Sequence, residues 1–449
     1  MLGALLALTL AAQPAAAQGS VSLIRDAEIE GTIRAYAAPL FAVAGLDPDA
    51  VQVYIVNDQR INAFVAGGQR LFLNTGLILR ASTPNQLIGV IAHETGHIAG
   101  GHLARLQDAL STASTAAIVS MLLGIAAAAL AGDGKVAGAA ILGGTALAER
   151  NLLQYNRGQE SAADQAGMSY LERTGQSARG MLRFFEILSQ QELQAAIRQD
   201  PYLRSHPLTR ERMESVRAQI ARSRFSDAKD PPELQARHDR MVAKLKGFLQ
   251  QPGRTLRDYP ESDRSIPARY ARAVAYFRTP QLDRALREID ELIAERPNDP
   301  YFHELKGQFL FESTRVADAE APYREAVRLA PDEPLLRYSL AQVLLERNRP
   351  ELVAEARALL NEAVRKETRN SSFWRLLAIA YGREGNLGMT ALSLAESASA
   401  SGDHRMAVQQ AGRAMQTLAR GSPGWLRAED IQAESRRLAK RDDDRRRDD

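Results

Sequence analysis

The five residues His93-Glu94-Thr95-Gly96-His97 are the most sharply spaced chemistry-bearing group in this chain. Two histidines four apart share one face of a helix, so both imidazoles can grip a single metal ion. Glu94 is rotated off that axis and can reach a water on the ion without being a ligand. This is the H-E-x-x-H arrangement of zinc hydrolases, in which the Glu is the general base. Neutral imidazole binds zinc without cancelling its charge, so the pKa of a bound water falls from about 15.7 to about 7. A neighbouring carboxylate can take that proton while the metal polarises a peptide carbonyl. The alternative is a pair of satisfied core histidines. The apolar residues around the motif, Leu87 to Ala92 and Ile98-Ala99, argue against it, because a buried Glu without a partner is costly.

A helix must carry these residues, and Thr83-Pro84-Asn85-Gln86 has the residues to start one: a capping Thr, Pro at the first helical position and Gln in the reciprocal capping place. A catalytic zinc site needs a third protein ligand and keeps its fourth position for water. Glu160, in the helical run Gln159 to Gly167, would complete such a set, and Asp164 one turn on shares its face. Asp164 could then orient a ligating histidine through its other ring nitrogen. For any Glu or Asp on a helix the competing assignment is solvated surface, and spacing does not exclude it. His206 precedes Pro207 and reads as a turn residue; His238, His303 and His404 sit in polar helical surroundings and read as surface. His102, nine residues past His93, falls about half a turn away on a continued helix and faces elsewhere.

Upstream, Ile24 to Gly45 has helical periodicity and Val51 to Val56 alternates like a strand. Asn62-Ala63-Phe64-Val65, a Gly67-Gly68 turn and Arg70 to Asn74 extend this to a small antiparallel sheet with a hairpin. A strand at Asn62, Ala63 and Phe64 can align an extended peptide by backbone hydrogen bonds, or simply pack. Ala109 to Gly132 and Val136 to Ala148 carry no charge. If Glu160 joins His93 and His97, the chain between must cross any membrane an even number of times, and the second run is short for a return. The expectation is a hydrophobic hairpin over 109–148, packed on protein or dipping into a membrane surface as a peripheral contact.

Lys and Arg total 57 against 54 for Asp and Glu, a balance that gives no reason to expect a nucleic-acid partner. With no cysteine, neither a disulfide nor a thiolate ligand is available. Leu2 to Ala12 followed by Ala15-Ala16-Ala17 reads as an export signal over 1–17, which places the mature chain in the periplasm. Residues 18–224 form the hydrolase domain and 225–265 a mixed helix-and-loop connector. Beyond it, Pro297 and Pro331 stand 34 positions apart, as do Glu291-Leu292-Ile293 and Glu325-Ala326-Val327. That is the tetratricopeptide period, and such arrays bind peptides or partner proteins. The next unit is displaced: Ala326 maps to Ala363 and Ala341 to Ala378, each 37 on, which implies a three-residue insertion near Arg349-Pro350-Glu351. The repeats run over 266–420, with a further helical pair from Gly385 to Leu418. A last helix and a charged, disordered tail from Arg436 fill 421–449.

Taken together, His93-Glu94-Thr95-Gly96-His97, Glu160-Ser161-Ala162-Ala163-Asp164 and His206-Pro207-Leu208 resemble the zinc endopeptidases related to HtpX and the CAAX prenyl proteases. Asn62-Ala63-Phe64 and Asn74-Thr75-Gly76-Leu77 fit the same family. The resemblance implies a mainly α protein, with a zincin-type helical protease domain and a small sheet followed by an α-solenoid. It implies one zinc ion per chain on His93, His97 and Glu160, with Glu94 as base. His206 would lie close enough to regulate the metal or steady the reacting carbonyl, and Arg210 would assist, pairing with Asp164. The related proteases degrade stalled or misassembled outer-membrane proteins, which implies unfolded substrates and contact with the β-barrel assembly machinery through the repeats. A repeat-based chaperone or assembly scaffold with latent protease activity is the rival from another class. Asn156, where the family often has Ser, and Ser161-Ala162, in place of more polar residues, are small departures that touch no proposed ligand.

Overall fold

The computed structural model describes residues 22–66, 68–102, 157–194, 206 and 208–448. The expected export signal and the 109–148 hairpin lie outside these residues. Among the described residues no helix is long and apolar enough to cross a membrane.

The sheet has four strands, β1 (Leu23–Ile24), β2 (Gln52–Val56), β3 (Ala63–Ala66) and β4 (Arg70–Asn74), in the order β1-β2-β4-β3. The β3–β4 hairpin is antiparallel as expected, but β2 pairs with β4 in parallel. The sheet is therefore mixed. The chain leaving β2 passes to the far edge and lays down β3 first, so β4 returns into the centre and β3 remains an edge strand. Alternation fixes the faces: Val53, Ile55, Ala63, Leu71 and Leu73 enter the core. On the other face Phe64, Phe72 and Tyr54 stack ring on ring, with centroids 4.9 and 5.0 Å apart.

Helix α1 (Ala27–Val43) covers the expected helical stretch, capped by the Asp26 side chain on the Ile29 amide. A short α2 (Thr75–Arg80) leads to α3 (Pro84–Ala99), the helix of the His-Glu-His motif. Thr83 is the N-cap of α3, yet its hydroxyl makes no capping bond. Gln86 reaches back one residue further than expected, to the Ser82 amide, and Asp230 accepts from the Asn85 amide. A carboxylate from 145 residues downstream thus serves the helix start. Residues 157–173 form α4, followed by α5 (Arg179–Gln194) and α6 (Arg210–Arg222).

The 225–265 segment is more than a connector. Its helix α7 (Pro232–Leu249) places Met241 and Leu245 in the core shared with Leu87 and Ile91 of α3, and α8 (Pro252–Asp258) follows. His238, expected at the surface, is buried on α7, with Nε2 2.9 Å from the Ala81 carbonyl. The segment also joins the two halves of the molecule. Lys244 Nζ lies 2.7 Å from Asp26, 3.2 Å from Glu28 and 3.6 Å from Glu304. Arg240 pairs with Glu28 and Asp299, and Tyr270 donates to Glu28 at 2.7 Å. Glu28 belongs to α1, whereas Tyr270, Asp299 and Glu304 belong to the repeats. Burial alone would raise the Glu28 carboxyl; the Arg240 and Lys244 cations outweigh it and hold it below the usual range.

The repeats are antiparallel helical pairs: α9 (Ile266–Phe277) with α10 (Leu282–Glu295), α11 (Pro300–Glu312) with α12 (Val316–Leu329), α13 (Pro334–Glu346) with α14 (Pro350–Lys366), and α15 (Ser371–Arg383) with α16 (Leu387–Ser401). Then come α17 (His404–Thr417) and α18 (Pro423–Asp448). Helix α14 has 17 residues where α10 and α12 have 14, so the insertion is absorbed as a longer second helix. Ala326, Ala341, Ala363 and Ala378 are buried where small residues let the helices approach. The charged end is not disordered: α18 continues through Arg436 to Asp448. That stretch contains no Gly or Pro to break the helix.

Candidate metal centre

Helix α3 crosses α4 with almost no side chain between them. A Cβ on Gly96 would lie 2.7 Å from the Ala163 carbonyl oxygen, and one on Gly167 would lie 3.0 Å from the Ala92 carbonyl carbon. This close approach brings His93 and His97 against the Glu160–Asp164 face. His93 Nε2 is 3.1 Å from His97 Nε2 and 3.3 Å from Glu160 Oε2, and His97 Nε2 is 3.2 Å from Glu160 Oε1. His206 completes the group: its Nδ1 lies 3.3 Å from His93 Nε2 and 3.0 Å from Glu160 Oε1. His93, Glu160 and His206 are buried and His97 is nearly so.

The donors fit a metal ion. Ligands on bonds of about 2.0–2.1 Å to a tetrahedral centre sit roughly 3.3 Å apart; the five donor contacts above run from 3.0 to 3.3 Å, and the four ligand atoms all lie within 4.8 Å of one another. The four side chains His93, His97, Glu160 and His206 each turn one ligand atom to a common point. Glu94, only 1% exposed, turns Oε1 into the same space with no hydrogen-bond partner among the described residues, 3.6 Å from His206 Nε2. A buried carboxyl oxygen left this way calls for a partner that no described residue supplies at hydrogen-bond distance.

An outer layer orients these groups. Asp164 Oδ1 accepts from His93 Nδ1 at 2.8 Å, the partnership expected for Asp164. Arg210 is not its partner: that residue opens α6 and is exposed. The pairing falls to Arg212, because Thr209 caps α6 and residues two apart point to nearly opposite sides of a helix. Arg212 donates to Asp164 Oδ2 at 2.6 Å and to Oδ1 at 2.9 Å, and its third nitrogen lies 2.9 Å from Glu160 Oε2. His102 was also misplaced by sequence reasoning. Helix α3 ends at Ala99 and Gly101 is left-handed at φ 61°, so the chain doubles back and sets His102 Nδ1 2.9 Å from His97 Nδ1. The Gly100-Gly101 pair was the available signal.

The charges follow from these contacts. Burial alone would push the His93 imidazole down, but hydrogen bonds to Asp164 and Glu160 carry it up to about 10. His97, whose burial dominates, is pushed down. Burial would raise Glu160 and Asp164; the histidines, with Arg212 at Asp164, hold both well below the carboxylate range. Both acids are thus anions throughout the ordinary pH range. Of the proposed peptide-aligning residues, Ala63 faces the core opposite Leu73 and Phe64 lies on the ring-stacked face. The Asn62 side-chain oxygen is buried without a hydrogen-bond partner among the described residues, and β3 packs against α3.

A close-packed helical domain with a small mixed sheet, a His-His-Glu-His group that could hold a metal ion, and attached helical repeats are the parts of a metalloendopeptidase. Residues 24–220 match peptidase family M48, and 270–334 and 305–352 match the tetratricopeptide repeat. The chain carries an M48 peptidase domain followed by these repeats. It is 27% identical to the beta-barrel assembly-enhancing protease of Yersinia pestis, over 87% of this chain and 80% of that one. It is 26% identical to the protein of the same name in Escherichia coli, over 81% and 74%. Metalloprotease LoiP of Escherichia coli is 30% identical over 39% of this chain and 64% of its own length.

Proposed function

We propose that this protein is a zinc-dependent endopeptidase of the periplasm that cleaves misfolded or misassembled outer-membrane proteins. The convergence of His93, His97 and Glu160 beside Glu94, whose Oε1 has no hydrogen-bond partner among the described residues, supports this most directly. Two imidazoles and one carboxylate, with no thiolate anywhere in the chain, suit zinc. The ion, when bound, supplies Lewis acidity toward a peptide carbonyl and toward water. Glu94 takes the proton from the attacking water and returns it to the leaving amide nitrogen. Edge strand β3 pairs with the extended substrate, and the Asn62 side-chain oxygen accepts one of its amide hydrogens. Residues 1–17 support export, and the names of the relatives support an outer-membrane assembly setting in which the repeats recruit the substrate or the assembly machinery.

Purified chain is expected to carry one zinc ion and to cleave casein, with activity lost to a chelator and restored by zinc. Metal-loaded protein that leaves both casein and an unfolded outer-membrane protein intact overturns this reading.

A latent state is favoured by one observation. His206 Nδ1 stands among the donors, where a fourth ligand would displace water. In that state the repeats would act as a chaperone or scaffold while the protease is off. His206→Ala is expected to cleave casein several-fold faster than wild type. An unchanged rate removes the plug, and a slower one assigns His206 to steadying the reacting carbonyl.

A further inference from the structure

We propose that His102 is the positioning residue for His97, setting the tautomer in which His97 offers its Nε2 lone pair to the metal. The proposal rests on the metal-site reading above. A neutral imidazole binds through Nε2 only when its proton is on Nδ1. His97 Nδ1 faces His102 Nδ1 at 2.9 Å, so just one of the two nitrogens can hold the shared proton. If His102 donates, the His97 proton is driven to Nε2 and the lone pair is lost to the metal. The productive arrangement therefore has His97 donating and His102 accepting, with the His102 proton on its own Nε2.

The local chain is shaped for this contact. His102 is 6% exposed and its ring stands at 82° to that of His97. A Cβ on Gly100 would lie 2.5 Å from His102 Nε2, so glycine there leaves room for the ring. The Gln159 side-chain amide, beside the third ligand, reaches the His102 carbonyl at 3.4 Å. The two imidazoles are thereby treated differently. His93 Nδ1 faces a carboxylate, Asp164, whereas His97 Nδ1 faces a second imidazole. The described pocket already holds the carboxyl groups of Glu94, Glu160 and Asp164, with Arg212 against the last two. An imidazole acceptor orients His97 without adding a fourth carboxyl group.

The test uses the full chain with zinc affinity read by competition against a chromophoric chelator. His102→Leu and His102→Asn are nearly isosteric and differ in the acceptor oxygen. The leucine variant is expected to bind zinc about 10–100-fold more weakly, and the asparagine variant to stay within a few-fold of wild type. In the cobalt-substituted proteins the visible spectrum should shift with leucine and not with asparagine. Should leucine fail to fold, His102→Phe, which keeps a ring and lacks the acceptor, takes its place. Equal zinc affinity for the leucine or phenylalanine variant and wild type overturns the proposal, as does an asparagine variant as weak as the leucine one. Wild-type protein that binds no zinc would overturn the metal site itself, a distinguishable result.

Discussion

Glu94→Gln is expected to keep its metal and to lose cleavage by about 10²–10⁴-fold, the range typical of a general base. The change is nearly isosteric, so α3 and its two histidines keep their places. What disappears is a buried carboxyl oxygen with no hydrogen-bond partner among the described residues, whereas Glu160 is occupied by His93, His97, His206 and Arg212, and Asp164 by His93 and Arg212. His206 Nε2 stands 3.6 Å from Glu94 Oε1. The measurement is metal content beside the casein cleavage rate. Loss of the metal in this variant would mean that Glu94 helps hold the ion, and retained cleavage would refute its role as base.

Arg212→Met is expected to be the most damaging change outside the ligands. The guanidinium spans Asp164 and Glu160, and stacks 5.0 Å over the Phe185 ring. Methionine keeps the bulk and leaves two buried carboxylates facing each other without their cation. Breaking a buried pair from one side costs about 3–5 kcal/mol. The variant should therefore melt well below wild type and bind zinc poorly, since Glu160 and the Asp164–His93 pair lose their support. Arg210→Ala, on the exposed start of the same helix, should match wild type in both melting temperature and metal content. Thermal denaturation and metal analysis of the two variants together decide whether Arg212 or Arg210 serves the site.

The convergence of His93, His97 and Glu160 was legible because it depends on short-range geometry. Residues four apart on α3 and on α4 had to share a face, and His93, His97, Glu160 and Asp164 do so. The repeat period was legible for a similar reason, since each unit packs only on its neighbours. What escaped depended on where helices stop and on long-range partners. Extending α3 past Ala99 sent His102 the wrong way, although two adjacent glycines marked the break. Choosing Arg210 over Arg212 needed the true start of α6, which Thr209 fixes. The parallel β2–β4 pairing could not be inferred from alternation, which specifies faces and not neighbours. Asp230 and His238 looked like connector and surface residues because nothing near them in the chain reveals that α7 packs into the protease core.

The buried charges around Lys244 and Arg240 bear on how cargo travels. Asp26 and Glu28 on the first helix, the two cations on α7, and Asp299 and Glu304 in the repeats lock the solenoid to the peptidase without an intervening flexible tether. If the repeats capture the substrate as proposed, a polypeptide held there cannot rely on a swinging arm to raise its effective concentration at the His93–His97–Glu160 group. Its own slack would have to cover the distance, so the scissile bond would be set by how far it lies along the captured chain from the anchoring point, and a compactly folded client would present no such length.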